Sequence, residues 1–87
     1  PPPRVVWAVD RATDATILEL RAADDAGLLY RVAHALELAG AHIRAARIST
    51  LGSDVVDAFY LVGDWSSAPE RAAVERAVLA AALPVLD

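Results

Sequence analysis

A short turn joins two segments of different hydrophobic period, and this feature constrains the fold more than any other. Residues 16–21 alternate apolar and polar side chains, which predicts a half-buried strand. From Leu28 onward apolar residues recur at helical spacing, which predicts a helix with one buried face. Asp24 to Gly27 lie at the junction. The pattern therefore predicts a tight strand-to-helix turn at these residues, in a fold that combines strands with helices.

The residues of this turn suit a small ligand as well as a helix cap. The short carboxylates of Asp24 and Asp25 can accept hydrogen bonds from the first free amides of the helix. Gly27 has no side chain to block the approach of a second molecule to the backbone. A helix start also presents N–H donors and a positive dipole end, which attract the carboxylate of a ligand. From these residues alone, a ligand seat and a simple capped turn are equal alternatives.

The composition argues against metal sites, nucleic acids and membranes. The 87 residues suffice for one small domain with a thin core. The sequence has no cysteine, and its two histidines have no second histidine or cysteine at ligand spacing, so we expect no metal and no cofactor. A formal net charge of −4 disfavours a nucleic-acid partner. No apolar run reaches transmembrane length, so we expect no membrane partner.

The hydrophobic pattern predicts six elements in the order β-β-α-β-β-α. The strands are predicted over 5–9, 15–22, 41–50 and 55–63, and the helices over 26–39 and from Ser67 to about 83. Pro84 is expected to end the second helix, and Pro1 to Pro3 to form a linker before a domain over 4–87. A one-residue slip of the alternation indicates a bulge near Arg44 and Ala45.

This order predicts an α+β, ferredoxin-like domain with a four-stranded antiparallel sheet and two helices on one face. The usual ferredoxin-like chain ends with a fourth strand after the second helix, and too few residues follow Pro84 to form it. We therefore expect a permuted arrangement, in which the N-terminal strand over 5–9 occupies that edge. Apolar residues on both faces of strand 55–63 leave surface to bury, which suggests a homodimer.

Four motifs in order resemble the ACT domain, the small ligand-sensing module of amino-acid metabolism. The likeness is greatest to the C-terminal ACT domains of the bifunctional uridylyltransferase/uridylyl-removing enzyme of the PII nitrogen-regulatory protein, and it covers about residues 4 to 83. Where that group has Arg-Pro before the turn glycine, this chain has Asp25 and Ala26. The matching motifs are T-I-L-E-L at 16–20, D-D-A-G-L-L-Y at 24–30, A-R-I-S-T-L-G at 46–52 and D-A-F-Y at 57–60.

The resemblance implies a regulatory domain that senses an amino acid, with glutamine as the implied ligand. It also implies a cytoplasmic parent enzyme with neighbouring domains, and a homodimer in which strand residues of a partner subunit face the ligand. The candidate ligand-binding residues are Asp24, Asp25, Ala26, Gly27, Leu28, Leu29, His42 and Arg44.

Other interpretations of the same residues stay open. His42 and Arg44 are equally consistent with edge-strand charges that discourage aggregation. Asp57 is expected to be a structural carboxylate. No Ser/His/Asp set, paired carboxylates in a cleft or phosphate-binding glycine loop is present, so we expect no catalytic residue in this domain. The alternative to a sensor is a ligand-free dimerisation module.

Overall fold

The computed structural model describes residues 2–83, and the predicted order of six elements is confirmed. Expectations that concern Pro1 and residues 84–87, including the helix stop at Pro84, lie outside the described residues. The elements are β1 (Arg4–Asp10), β2 (Ala15–Ala23), α1 (Leu28–Leu38), β3 (Ile43–Leu51), β4 (Asp54–Leu61) and α2 (Ala68–Ala82).

The four strands form one antiparallel sheet in the order β1-β2-β4-β3, which is the ferredoxin-like arrangement. β1 pairs with β2 as a hairpin, with Trp7 opposite Leu18. The N-terminal strand thus occupies the edge beside β2, as the permuted topology predicts. β3 and β4 are joined by a two-residue turn, in which Gly52 has a φ of 65° that an L-residue rarely adopts.

The register of β3 against β4 contains the predicted irregularity. Ile43 lies opposite Leu61, whereas Ala45 lies opposite the preceding residue of β4, Tyr60. One residue of β3, Arg44, therefore has no partner of its own across the pair, which is the signature of a β-bulge. The bulge changes which side of the sheet each later residue of β3 faces.

The core lies on one side of the sheet, between the sheet and both helices. Because side chains alternate along a strand, the buried residues of β2 and β4 fall at every second position. Each fully buried aliphatic or aromatic side chain here contributes about 1.5–3 kcal/mol to folding. On α2 the buried residues are Val74, Val78 and Ala82. The central buried residues are Leu18, Leu20, Val32, Leu36, Phe59 and Val78.

Both helices have recognisable ends. The Ser67 hydroxyl accepts a hydrogen bond from the Glu70 amide at 3.4 Å and so caps α2. After α1, Gly40 has a φ of 85° and the Ala41 amide donates to the Leu36 carbonyl at 2.9 Å. This is the Schellman arrangement expected for a glycine just past a helix. Within residues 2–83 neither helix has the length and apolar run required to cross a membrane.

A cluster of aromatic and charged side chains fastens β1 to α2. The Trp7 indole donates to the Glu75 carboxylate at 2.6 Å, and its ring stacks on Trp65 at a centroid distance of 6.3 Å. The Arg71 guanidinium lies 4.8 Å from the centre of the Trp7 ring and also donates to the Trp65 carbonyl. The N-terminal strand is therefore held by side-chain packing as well as by its hairpin.

We expect Trp7→Ala to destabilise the fold by about 3 kcal/mol, because it removes the ring, the stacking and the hydrogen bond together. Val9→Ala is the matched control, since Val9 lies on the same strand and side but is 54% exposed. It should change the free energy of unfolding by no more than about 0.5 kcal/mol. Urea unfolding followed by circular dichroism measures both changes. If the two variants lost equal free energy of unfolding, the contacts of Trp7 with α2 would not stabilise β1.

Candidate functional site

The strand-to-helix turn lies at the end of the sheet that also carries the β3–β4 turn. The Asp24 amide donates to the Ser53 carbonyl at 3.4 Å, which ties the two turns together. Gly27 is the N-cap of α1 and has a φ of 81°, so the left-handed conformation explains why a glycine is needed here. The helix begins at Leu28, two residues later than predicted, because Gly27 interrupts the helical geometry.

The prediction that Asp24 and Asp25 cap the helix is wrong. No side chain caps α1, and the Asp25 carboxylate instead pairs with the Arg31 guanidinium at 2.6 Å. Arg31 also donates to the Ala26 carbonyl at 3.2 Å and to the Ala81 carbonyl at 3.0 Å. A guanidinium that reaches three acceptors competes successfully with the neutral amides for the Asp25 carboxylate. The negative charge of Asp25 is therefore compensated within the chain.

The first amides of α1 are only partly occupied. The Leu28 amide donates to the Asp25 carbonyl at 3.1 Å, and the Arg31 amide to the Gly27 carbonyl at 3.0 Å. Within residues 2–83 the Gly27 and Leu29 amides have no such backbone acceptor outside the regular elements. The Leu28 side chain is buried in the core, and the Leu29 side chain is partly exposed. The Gly27 and Leu29 amides are therefore candidate donors at this turn.

A buried carboxylate lies close to this turn. Asp57 is on the helix side of β4, opposite Leu20 and Ile48, and only 2% of its surface is exposed. Within residues 2–83 no group donates a hydrogen bond to its carboxylate. Burial, and next the nearby charge of Asp24, raise the pKa of Asp57 above its ordinary value. A cation beside Asp57 would relieve both effects.

The helix layer leaves part of the sheet uncovered beside Asp57. Three residues of β3 face the same side as the buried residues of β4, yet all are exposed, and Ile48 is 54% exposed. The helices cover the middle of the sheet, and β3 is its outer strand. The turn, the Asp57 carboxylate and this exposed part of β3 are the elements of the candidate site. We refer to the exposed residues, Ala46, Ile48 and Thr50, as the β3 strip.

His42 and Arg44 do not reach the turn within one chain. His42 Nδ1 lies 3.0 Å from the Glu37 carboxylate, to which the Ile43 amide also donates at 3.1 Å. The hydrogen bond from His42, and then that from Ile43, lower the pKa of Glu37. This group is at the far end of α1, about 16 Å along the helix axis from Gly27. Arg44 lies on the opposite side of the sheet, against a cavity described below. A second copy of the chain would be needed to bring His42 to the turn.

Two functional candidates were missed in the sequence. Asp57 was interpreted as a structural carboxylate, although a charged residue among the inward positions of β4 was a signal. Arg31 was not singled out, because its contact with Asp25 depends on how the turn folds back over the helix. Among the described residues no group of three or more potential metal ligands lies together.

The fold and the site define a ferredoxin-like α+β module with a candidate binding site at its strand-to-helix turn. The sequence is similar to one segment of the bifunctional uridylyltransferase/uridylyl-removing enzymes, as the resemblance predicts. The chain spans about a tenth of the length of these curated relatives. No family model and no solved structure matches the chain.

Three relatives illustrate the similarity. The chain is 48% identical over 79 residues to the enzyme of Streptomyces coelicolor, an alignment that covers 87% of this chain and 10% of that enzyme. It is 45% identical over 78 residues to the Mycobacterium tuberculosis enzyme, with coverage of 90% and 10%. It is 40% identical over 75 residues to the Thiobacillus denitrificans enzyme, with coverage of 85% and 9%.

The raised pKa of Asp57 predicts a pH-dependent stability. The unfolded chain releases this proton near the ordinary value of about 3.9, whereas the folded chain keeps it to higher pH. The folded state therefore loses stability as pH rises from about 4 through the raised pKa. Asp57→Asn removes the buried charge and should be more stable than the wild type at pH 7, with the difference narrowing toward pH 3.

Urea unfolding at both pH values measures this difference, and Asp24→Asn is the companion variant because Asp24 supplies the second cause of the shift. Asp24→Asn should lower the pKa of Asp57, which a carboxyl-carbon NMR titration reports. A wild type more stable than Asp57→Asn at pH 7 would mean that the Asp57 carboxylate has a favourable partner in the folded chain.

Proposed function

We propose that this chain is an ACT-type regulatory domain of a bifunctional uridylyltransferase/uridylyl-removing enzyme, and that it binds glutamine at the strand-to-helix turn. The similarity to a segment of those enzymes supports the choice of parent. The choice of glutamine comes from the resemblance to their ACT domains. The single observation that carries the site is Asp57, a residue only 2% exposed whose pKa is raised by burial and by the charge of Asp24. Its carboxylate receives no hydrogen bond within residues 2–83 and keeps contact with solvent, since no fully buried side-chain oxygen or nitrogen there lacks a partner.

The chemistry of the site matches the two charges of an amino acid. The α-carboxylate would accept from the Gly27 and Leu29 amides, at the positive end of the α1 dipole. The α-ammonium would pair with Asp57, which offsets the desolvation of that carboxylate. The side chain would then lie along the β3 strip. A neutral amide side chain suits this place better than a carboxylate, because Asp24 and Asp57 already supply negative charge.

A second copy of the chain would complete the site. β3 is an outer strand of nine residues, and its free edge can pair with another strand. Antiparallel pairing of two β3 strands about a two-fold axis brings the His42 end of one copy beside the turn of the other. His42 would join the site only in this way, whereas Arg44 faces the open side of the sheet in both copies, so the role of these two residues stays a prediction. Ligand binding would then change how two copies pair, which is the shift that a regulatory domain can pass to its parent enzyme.

A ligand-free pairing module is the second candidate. The observation that favours it is the side of the sheet away from the helices, where apolar residues of three strands have no covering layer among residues 2–83. Such a surface can serve association without any small molecule. The apolar residues concerned are Val6, Ala8, Ile17, Val56, Ala58 and Tyr60.

Calorimetry with a matched pair of glycine variants tests the proposed seat. Gly27→Ala and Gly40→Ala introduce similar backbone strain, because the two φ angles are 81° and 85°. An added Cβ at Gly27 lies at the helix start, 3.5 Å from Arg31, whereas at Gly40 it meets nothing within 4 Å. We expect the wild type and Gly40→Ala to bind glutamine with a Kd of about 1 mM or lower, near −4 kcal/mol. Gly27→Ala should bind at least about tenfold more weakly, and glutamate should bind more weakly than glutamine.

If the folded wild-type chain shows no glutamine binding at millimolar glutamine, the sensor function is contradicted. The ligand-free pairing module is then the supported function. Sedimentation of the same samples tests the role of pairing. If ligand binding and pairing are linked, glutamine should change the fraction of dimer at a fixed chain concentration. A dimer fraction that glutamine leaves unchanged, despite binding, would separate the ligand site from the interface.

A further inference from the structure

Two arginines line a cavity on the open side of the sheet, which is the side away from the helices. The cavity has a volume of about 220 Å³ and lies at the end of the sheet where β1 turns into β2. The polar residues that line it are Arg44, Arg47, Tyr60, Thr13 and Asp10. It lies on the opposite face of the sheet from the amino-acid seat and at the opposite end of the strands.

The β-bulge is the reason that both arginines face this side. Ile43 faces the helices, and an unbroken alternation from Ile43 would turn Arg44 to the open side but Arg47 to the helix side. The extra residue shifts the alternation by one, so that Ala45 and Arg47 lie opposite the open-side residues Tyr60 and Ala58 of β4. Arg44 borders the same cavity as Ala45. A bulge that re-aims side chains in this way is a feature of functional edges.

Neither arginine forms an ion pair in the described part of the chain, and Arg47 has a contact that limits its movement. The Arg47 guanidinium lies 5.9 Å from the centre of the Tyr60 ring, a cation–π contact that limits its movement. Within residues 2–83 no carboxylate forms an ion pair with Arg44 or Arg47. The Asp10 carboxylate in the same cavity accepts a hydrogen bond from the Ala12 amide at 3.0 Å. Two arginines at one cavity without an ion-pair partner among residues 2–83 are notable in a chain of net charge −4.

We propose that this cavity binds a phosphate group, as the free ion or as a phosphate monoester. A doubly charged phosphate matches two guanidinium groups, whose planar donors fit its oxygens in pairs. The Thr13 hydroxyl and the Tyr60 phenol supply further donors to the same anion. The volume is several times the roughly 30 Å³ share of one water molecule, which leaves room for the organic part of an ester. The chain would thus carry a phosphate site on one face of the sheet and the amino-acid seat on the other.

NMR titration of the 87-residue chain tests the site, because the arginine Nε–H signals report on each guanidinium directly. The probes are inorganic phosphate and ribose 5-phosphate, each at constant ionic strength, with sodium chloride as the reference salt. We expect saturable shifts at Arg44, Arg47, Thr13 and Tyr60. Tighter binding of ribose 5-phosphate identifies a monoester as the ligand, and equal or weaker binding identifies the free ion.

Arg44→Gln and Arg47→Gln should each weaken phosphate binding about tenfold, since each removes a charge-assisted contact. Arg4→Gln is the matched control, because Arg4 is an exposed arginine at the other end of the same open face and should leave the affinity unchanged. The proposal is overturned if phosphate produces only the non-saturable shifts that chloride produces, or if Arg4→Gln weakens binding as much as the two cavity variants. Either result would assign Arg44 and Arg47 to edge-strand charge alone.

Discussion

The antiparallel pair of β2 and β4 at the centre of the sheet is the constraint on which the rest of the molecule depends. Leu18 lies opposite Phe59, and Leu20 lies opposite Asp57, so one register aligns the inward residues of both strands. A slip of one residue would turn every buried side chain of a strand to the open side. Both helices pack on the surface that this pair creates. The register of the pair therefore also sets the position of Asp57 relative to the strand-to-helix turn. β1 and β3 are then added on the outer edges.

The two edge strands, β1 and β3, are stabilised in different ways. Within residues 2–83, β1 pairs with β2 only. The contacts of the Trp7 ring with Trp65, Arg71 and Glu75 attach it to α2 as well. β3 instead lies beyond the helix layer and carries the bulge. Because of the bulge, Arg44 and Arg47 face the open side of the sheet, whereas the β3 strip faces the helix side. One extra residue thus gives the two faces of an edge strand different chemistry.

The turn shows how a change of local charge is balanced by tertiary contacts. Where the resembling domains have Arg-Pro, this chain has Asp25 and Ala26, which replaces a positive charge with a negative one. Arg31, one helical turn after Gly27, places its guanidinium against the Asp25 carboxylate. It also donates to the Ala81 carbonyl of α2, so the turn, α1 and α2 are joined through one side chain. A ligand that displaced Asp25 would disturb all three.

The sequence by itself determined the order of elements, the permuted edge, the bulge and the turn, because hydrophobic period and glycine chemistry are local signals. It did not determine the direction of the Asp25 carboxylate, which was expected to cap the helix and pairs with Arg31 instead. Nor did it show that burial and Asp24 raise the pKa of Asp57, or that His42 and the turn are at opposite ends of α1. These outcomes depend on which groups from distant parts of the chain compete for the same donors and the same space. Such competition exists only once the helices are packed on the sheet, so the tertiary structure alone decides it.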